Sequence, residues 1–397
     1  MAAESSSTLH AEGEMSEETG SANRDVIKSE SPDSPKAVAV HLTDEIILAS
    51  LSSIEPTIDG LMYAPTTFVC NKLQLTDLER LQTFIYLRHI NVAQNALTDM
   101  RPLIHLHNLI DLNASHNKIS QIAVGQWPCM THLNLNFNQI SEIPELRLPR
   151  LKVLCLNNNK IRSLVNPKSG APILTASGLP QLHTLQLSHN QLHLMGRRSD
   201  DPNLPRTLNI QLPNLKALFL SYNALTSLAV YRPVEPEPSE VKAENSGEHA
   251  VEHSEGNLDD EQEKGEQKKR GGFILSKDES ALGMLPQLSV LSVRNNGLHD
   301  LDGINLMSTP KLQYLNLREN VIDTMDEIDK LVRLPRLRTV ILIDNPLCEL
   351  KDYRLEMRVT LLSLRRLDKE MYTPEENEEA DILAEQRRLD RLTADAY

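Results

Sequence analysis

The chain has 397 residues, of which 40% are apolar and only 4% aromatic, and its formal net charge is −14. That length allows two or three compact domains or one long repeat array, and so aliphatic a core favours the array. An acidic balance gives no basic footprint for nucleic acid, and the longest apolar runs, such as IILASL at 46–51, are far too short to cross a bilayer.

The first residues, MAAESSSTLHAEGEMSEE, hold no apolar stretch of a secretion signal. Residues 1–40 read as an acidic arm expected to be disordered, with Ser31-Pro32 and Ser34-Pro35 as candidate phosphorylation sites. Next, HLTDEIILASLSSI (41–54) sets Ile46, Ile47, Leu51 and Ile54 at helical spacing, which predicts a capping helix within an N-terminal capping segment, 41–72.

From Leu87 a pattern recurs. It reads LRHINVAQNAL, LIDLNASHNKI, MTHLNLNFNQI, LKVLCLNNNKI, LHTLQLSHNQL, LKALFLSYNAL, LSVLSVRNNGL, LQYLNLRENVI and LRTVILIDNPL, starting at 87, 109, 130, 151, 182, 215, 288, 312 and 337. These nine copies of L-x-x-L-x-L-x-x-N-x-L are the leucine-rich repeat signature. The fold class expected is α/β: a leucine-rich repeat solenoid over 73–346, with a curved parallel sheet of about nine strands and helical caps at both ends.

Each copy supplies one short strand, whose leucines point inward and are buried only by stacking on neighbouring copies. Each also carries an asparagine at its ninth position: Asn95, Asn117, Asn138, Asn159, Asn190, Asn223, Asn296, Asn320 or Asn345. An amide both donates and accepts, so it suits a buried turn where backbone N–H and C=O groups lack partners. The nine are therefore expected to form a structural ladder rather than a catalytic or binding set.

Three spacings are long. VNPKSGAPILTASGLP (165–180) and GRRSDDPNLPRT (196–207) are rich in Pro, Gly and Ser and are expected as loops on the rim. Residues 232–272 are acidic, polar and nearly free of large apolar groups, which predicts a disordered insertion. Such a loop adds little closure cost and need not break the stack.

After Asn345-Pro346, residues 347–375 read as a C-terminal cap with Tyr353, Met357, Leu361 and Leu364 on one helical face. Residues 376–397 read as a charged helix with a thin apolar stripe, Ile382, Leu383, Leu389 and Leu392. The charge is uneven. Residues 1–35 hold eight acids against two bases, 233–270 twelve against five, and 368–397 ten against four, so against −14 overall the remainder is about +5.

The residues between the leucines face outward. The N-terminal half of that concave face is rich in amides. The C-terminal half carries Phe219, Tyr222, Arg294, Tyr314, Asn316, Arg318 and Ile341, a mixture of aromatics and arginines typical of protein–protein hot spots. These seven are the candidate partner-binding residues. No Walker loop, GxSxG, HExxH or zinc spacing occurs, so no catalytic or metal residue is assigned. His89, Asp111 and His132 fall in one row on neighbouring strands, and a solvated polar row accounts for them. Cys70, Cys129, Cys155 and Cys348 lie far apart, which predicts free thiols and a reducing, intracellular setting.

The roughly 22-residue unit resembles the intracellular leucine-rich repeat subfamily that includes a protein phosphatase regulatory subunit. Residues 312–388 more specifically resemble the C-terminus of leucine-rich repeat components of the ciliary radial spoke head. That likeness rests on Ile341–Pro346, Tyr353-Arg354, Arg366–Glu370 and Tyr372, and residues 41–100 are similar in order and spacing. The resemblance implies a non-enzymatic scaffold of the axonemal radial spoke in a cilium or flagellum. Its partners would be other radial spoke proteins within a large axonemal complex, with no cofactor, small-molecule ligand, nucleic acid or membrane. The alternative is a regulatory subunit that binds a phosphatase catalytic subunit through the concave face.

Overall fold

Nine three-residue strands carry the repeats in a computed structural model that describes residues 40–394 apart from 58–59, 124, 167–168, 194–207 and 234–272. The chain opens with α1 (Asp44–Ser50), β1 (Leu51–Pro56) and β2 (Tyr63–Val69). The repeat strands follow as β3 (His89–Asn91), β4 (Asp111–Asn113), β5 (His132–Asn134), β6 (Val153–Cys155), β7 (Thr184–Gln186) and β8 (Ala217–Phe219). A separate antiparallel ribbon, β9 (Ala229–Pro233) and β10 (Phe273–Ser280), interrupts them before β11 (Val290–Ser292) and β12 (Tyr314–Asn316). Then come α2 (Met325–Asp329), β13 (Thr339–Ile341), α3 (Tyr353–Thr360), β14 (Arg366–Leu367), β15 (Glu370–Met371) and α4 (Pro374–Ala394).

All but the ribbon join one sheet in the order β1 to β8, then β11 to β15. From β2 to β14 every pairing is parallel, and an antiparallel strand ends the sheet on either side. The middle residue of each repeat strand is buried, and its neighbours are mostly half-buried or exposed. Period-two alternation thus sends one set of side chains inward and the other onto the open face. Inside, the leucines form one continuous core from Leu42 to Tyr372. Burying each contributes about 1.5–3 kcal/mol, which no single coil achieves alone.

The parallel stack extends one strand beyond 73–346 at each end. The 41–54 capping helix is shorter than its spacing predicts. Thr43 caps it through Oγ1, which accepts the Ile46 N–H at 3.3 Å, and it stops at Ser50. Leu51 then turns extended, because β2 is the last parallel strand and its outer edge needs a partner; pairing Leu51 with Phe68 supplies one. Ile47 is buried, whereas Ile54 lies 72% exposed.

The C-terminal cap departs in the same way. Tyr353 and Met357 lie on α3, but the helix ends at Thr360. Leu361 and Leu364 follow it and are buried through a turn that leads into β14. On α4 the expected stripe does not seal the helix: Ile382, Leu389 and Leu392 are more than half exposed, and Ala380 is buried instead.

The 165–180 stretch is not a rim loop either. Leu174 and Leu179 are buried in the core, and Thr175 bridges to Gln211 in the next coil. Residues 196–207 and nearly all of 232–272 and 1–40 lie outside the described residues. The flanks of 232–272 are the paired ends of β9 and β10, where Pro233 sits opposite Phe273. The coils on either side of that ribbon pack directly together. Gly303, with φ of +86°, approaches Leu228 so closely that a Cβ there would lie 2.0 Å from the Leu228 carbonyl oxygen.

Candidate functional site

The asparagines are uniform. Each Oδ1 accepts a backbone N–H from the preceding coil at 3.0–3.2 Å. Each Nδ2 donates to the carbonyl three residues before it in its own coil and to one of the coil before, at 2.7–3.2 Å. Asn95, Asn117, Asn138, Asn159, Asn320 and Asn345 are buried, and Asn190, Asn223 and Asn296 are half-buried. The residue before every rung has positive φ: Gln94, His116, Phe137, Asn158, His189, Tyr222, Asn295, Glu319 and Asp344. That left-handed step turns the amide inward and sends the preceding side chain out.

The seven candidate partner-binding residues fall into two groups, one on the strands and one on the turns that follow them. Phe219, Asn316 and Ile341 occupy equivalent strand positions. Phe219 neighbours Ser292, and Asn316 lies between Ser292 and Ile341. Tyr314 stands two residues before Asn316, beside Val290 and Thr339. Burial pushes its phenol up, against the opposing charge of Arg366.

Tyr222, Arg294 and Arg318 lie on the turn side of the strands, Tyr222 in the row immediately before the ladder asparagines and each arginine one position earlier in its repeat. Tyr222 stacks on His189 with centroids 4.1 Å apart and ring planes 10° from parallel, and Arg294 lies over its ring at 5.2 Å. Burial, and then the Arg294 charge, hold the His189 imidazole below its usual value.

The arginines are tied into an ionic chain. Glu319 takes Arg294 at 2.6 Å, Arg318 at 3.2 Å and the Asn295 amide at 2.7 Å, and Arg318 also reaches Asp344 at 3.1 Å. Burial works against ionisation of Glu319, but the hydrogen bonds from Asn295 and Arg294 and the two arginine charges outweigh it and hold the carboxyl below the usual range. The face therefore presents a braced, mixed-charge surface.

Sequence reasoning passed over His189, Asn295, Glu319 and Asp344, and also the second stacked pair, His116 on Phe137 at 4.0 Å. All but Phe137 are polar or charged, and all sit immediately before a ladder asparagine. That position is the signal for this row.

His89, Asp111 and His132 are neighbours in register and exposed. Among the described residues no group of three or more His, Cys, Asp or Glu is arranged to hold a metal. The four cysteines are unpaired, and burial pushes the Cys155 thiol up to about 11.

Comparison with known proteins agrees with this architecture. A leucine-rich repeat family model matches residues 276–395, and a model of two leucine-rich repeat copies matches 130–169. Leucine-rich repeat-containing protein 23 of Bos taurus is 30% identical over 346 residues, covering 87% of this chain and 80% of that protein. The Homo sapiens protein of the same name is 28% identical over 352 residues, 88% of this chain and 81% of that one. The human cilia- and flagella-associated protein 410 is 35% identical over 94 residues, 23% of this chain and 36% of that protein. With the bovine likeness running through most of both chains, this chain belongs to the leucine-rich repeat-containing protein 23 family.

Proposed function

We propose that this protein is a non-catalytic scaffold of the axonemal radial spoke, needed for spoke head assembly and for ciliary or flagellar motility. Its partners are other spoke proteins, held by the open face of the sheet, and it works without a cofactor. The observation that carries this reading is the similarity to leucine-rich repeat-containing protein 23 over 87% of the chain. The shorter similarity to a cilia- and flagella-associated protein supports the ciliary setting. Half-buried Phe219, Tyr222 and Tyr314, beside braced arginines, supply the preorganised aromatic and guanidinium groups that such contacts use.

The test is to tag the chain in a ciliated cell and extract with detergent. Retention in the axoneme, and release together with spoke proteins, supports the reading. Absence from the axoneme overturns it. Soluble co-purification with a phosphatase catalytic subunit supports the regulatory-subunit alternative instead.

A further inference from the structure

A cavity of about 350 Å³ opens at the C-terminal end of the stack, between the start of β13, the end of α3, the turn into β14 and the first turns of α4. Among the described residues its charged lining is three arginines, Arg338, Arg358 and Arg365, with no carboxylate. The fold itself brings them together. The Arg365 backbone N–H donates to the Arg338 carbonyl at 2.8 Å, which sets these two side by side at the starts of adjacent strands. Arg338 is steadied by Nη1, which donates to the Ser363 carbonyl at 2.9 Å.

Arg358 is the unusual member. It is only 8% exposed. Its Nε donates to Asn377 Oδ1 at 2.7 Å, and its Nη2 reaches Asp381 at a long 3.4 Å, where that carboxylate is 63% exposed. Its Nη1 is buried and has no hydrogen-bond partner among the described residues. Arg358 is a cation largely withdrawn from water whose carboxylate contact is long, and an oxyanion seated among the three guanidinium groups would supply the opposing charge. Beside the cavity, Leu362 and Met371 are 58% and 63% exposed. Those apolar groups offer nothing to a free anion but suit the neighbours of an acidic residue in a peptide.

We propose that this cavity is a docking site for an oxyanion-bearing side chain, carboxylate or phosphate, of a partner polypeptide, whose adjacent apolar residues cover Leu362 and Met371. It lies at the end of the stack and includes none of the seven candidate residues on the open face.

The test uses the full chain and fluorescence anisotropy with a labelled peptide of alternating Leu and Glu, its Leu/Gln counterpart and inorganic phosphate as competitor. The Leu/Glu peptide is expected to bind, and the Leu/Gln peptide at least tenfold more weakly. Arg365→Gln, at an exposed position, should weaken binding at least tenfold while leaving the melting temperature unchanged. Arg358→Gln should abolish binding. Because Arg358 also ties α3 to α4, the exposed-site variant carries the decision. Arg336→Gln, outside the cavity, should have no effect.

Equal binding of the two peptides, or an unaffected Arg365→Gln, overturns the proposal. An equal loss with Arg336→Gln also overturns it, since attraction would then be to diffuse charge. Inorganic phosphate that competes at the peptide's own affinity marks a free-anion site and overturns the assignment to a polypeptide.

Discussion

Asp368 accepts the backbone N–H of Leu342 at 2.7 Å through Oδ1, and that of Ile343 at 3.2 Å through the same oxygen. In the preceding coil the equivalent group, the Leu317 N–H, donates to a strand carbonyl, that of Ile341. β14 is only two residues long, so a side chain replaces the backbone acceptor that a further full repeat would provide. Tyr353 braces the other carboxylate oxygen at 3.4 Å, and burial followed by the Asp368 charge pushes its phenol up. Asp368→Ala should destabilise the last coil by roughly 2–3 kcal/mol, since two N–H groups lose a charged acceptor. The urea midpoint measures this, and a midpoint within error of the parent would show that water replaces the carboxylate.

Asn320 illustrates the ladder. Its amide serves the N–H groups of Asn296 and Leu298 and the carbonyls of Val293 and Leu317. Asn320→Leu is isosteric enough to fill the space yet satisfies none of them. The expected loss is about 1–3 kcal/mol, read as a lowered unfolding midpoint; no change would refute the structural role.

Tyr314→Ala with Arg318→Ala tests the open face. Both side chains are half-buried at the surface, and Arg318 is held by Glu319 and Asp344. The double variant should fold, because the Arg318 carbonyl that accepts the Asn320 amide is backbone and is kept by alanine, and partner retention from extracts should fall at least about tenfold, the effect of one hot-spot residue. Retention equal to the parent chain sinks the assignment of this face.

The α3–α4 contact should respond to acid. Arg387 holds the Glu356 carboxyl below its usual range through hydrogen bonds at 2.7 Å, and Arg354 does the same for Glu376. Depressed carboxylates contribute stability that is full above the ordinary glutamate value, about 4.3, and is lost as pH falls through the lower folded values. Melting temperature should therefore fall between about pH 6 and about pH 3. The fall should be smaller in the Arg354→Gln, Arg387→Gln double variant. Parallel curves for the two proteins would remove these pairs as the cause.

Much of the repeat array is legible along the chain because its interactions are periodic and local in sequence. Leu312, Leu315, Leu317 and Asn320 carry the same instruction in every copy, so strand, buried column and rung can be read before any contact is known. The edges are different. Whether Leu51 continues a helix or becomes a strand depends on the open edge of β2, and whether Leu364 lies on α3 or leads into β14 depends on the open edge of β13. Leu174 is called into the core by the coils on both sides of it, although its neighbours have loop composition.

The open face divides in the same manner. Residue numbers alone identify Phe219, Tyr314, Asn316 and Ile341 as outward-facing, since alternation along a strand decides that. Only the stacked coils reveal that Tyr222 rests on His189, that Arg294 and Arg318 share Glu319, and that Arg358 meets Arg338 and Arg365 around one cavity. Tyr222 and His189 are 33 positions apart, Arg294 and Glu319 25, and Arg338 and Arg358 20, and tertiary packing joins them where sequence periodicity carries no information about which side chains meet.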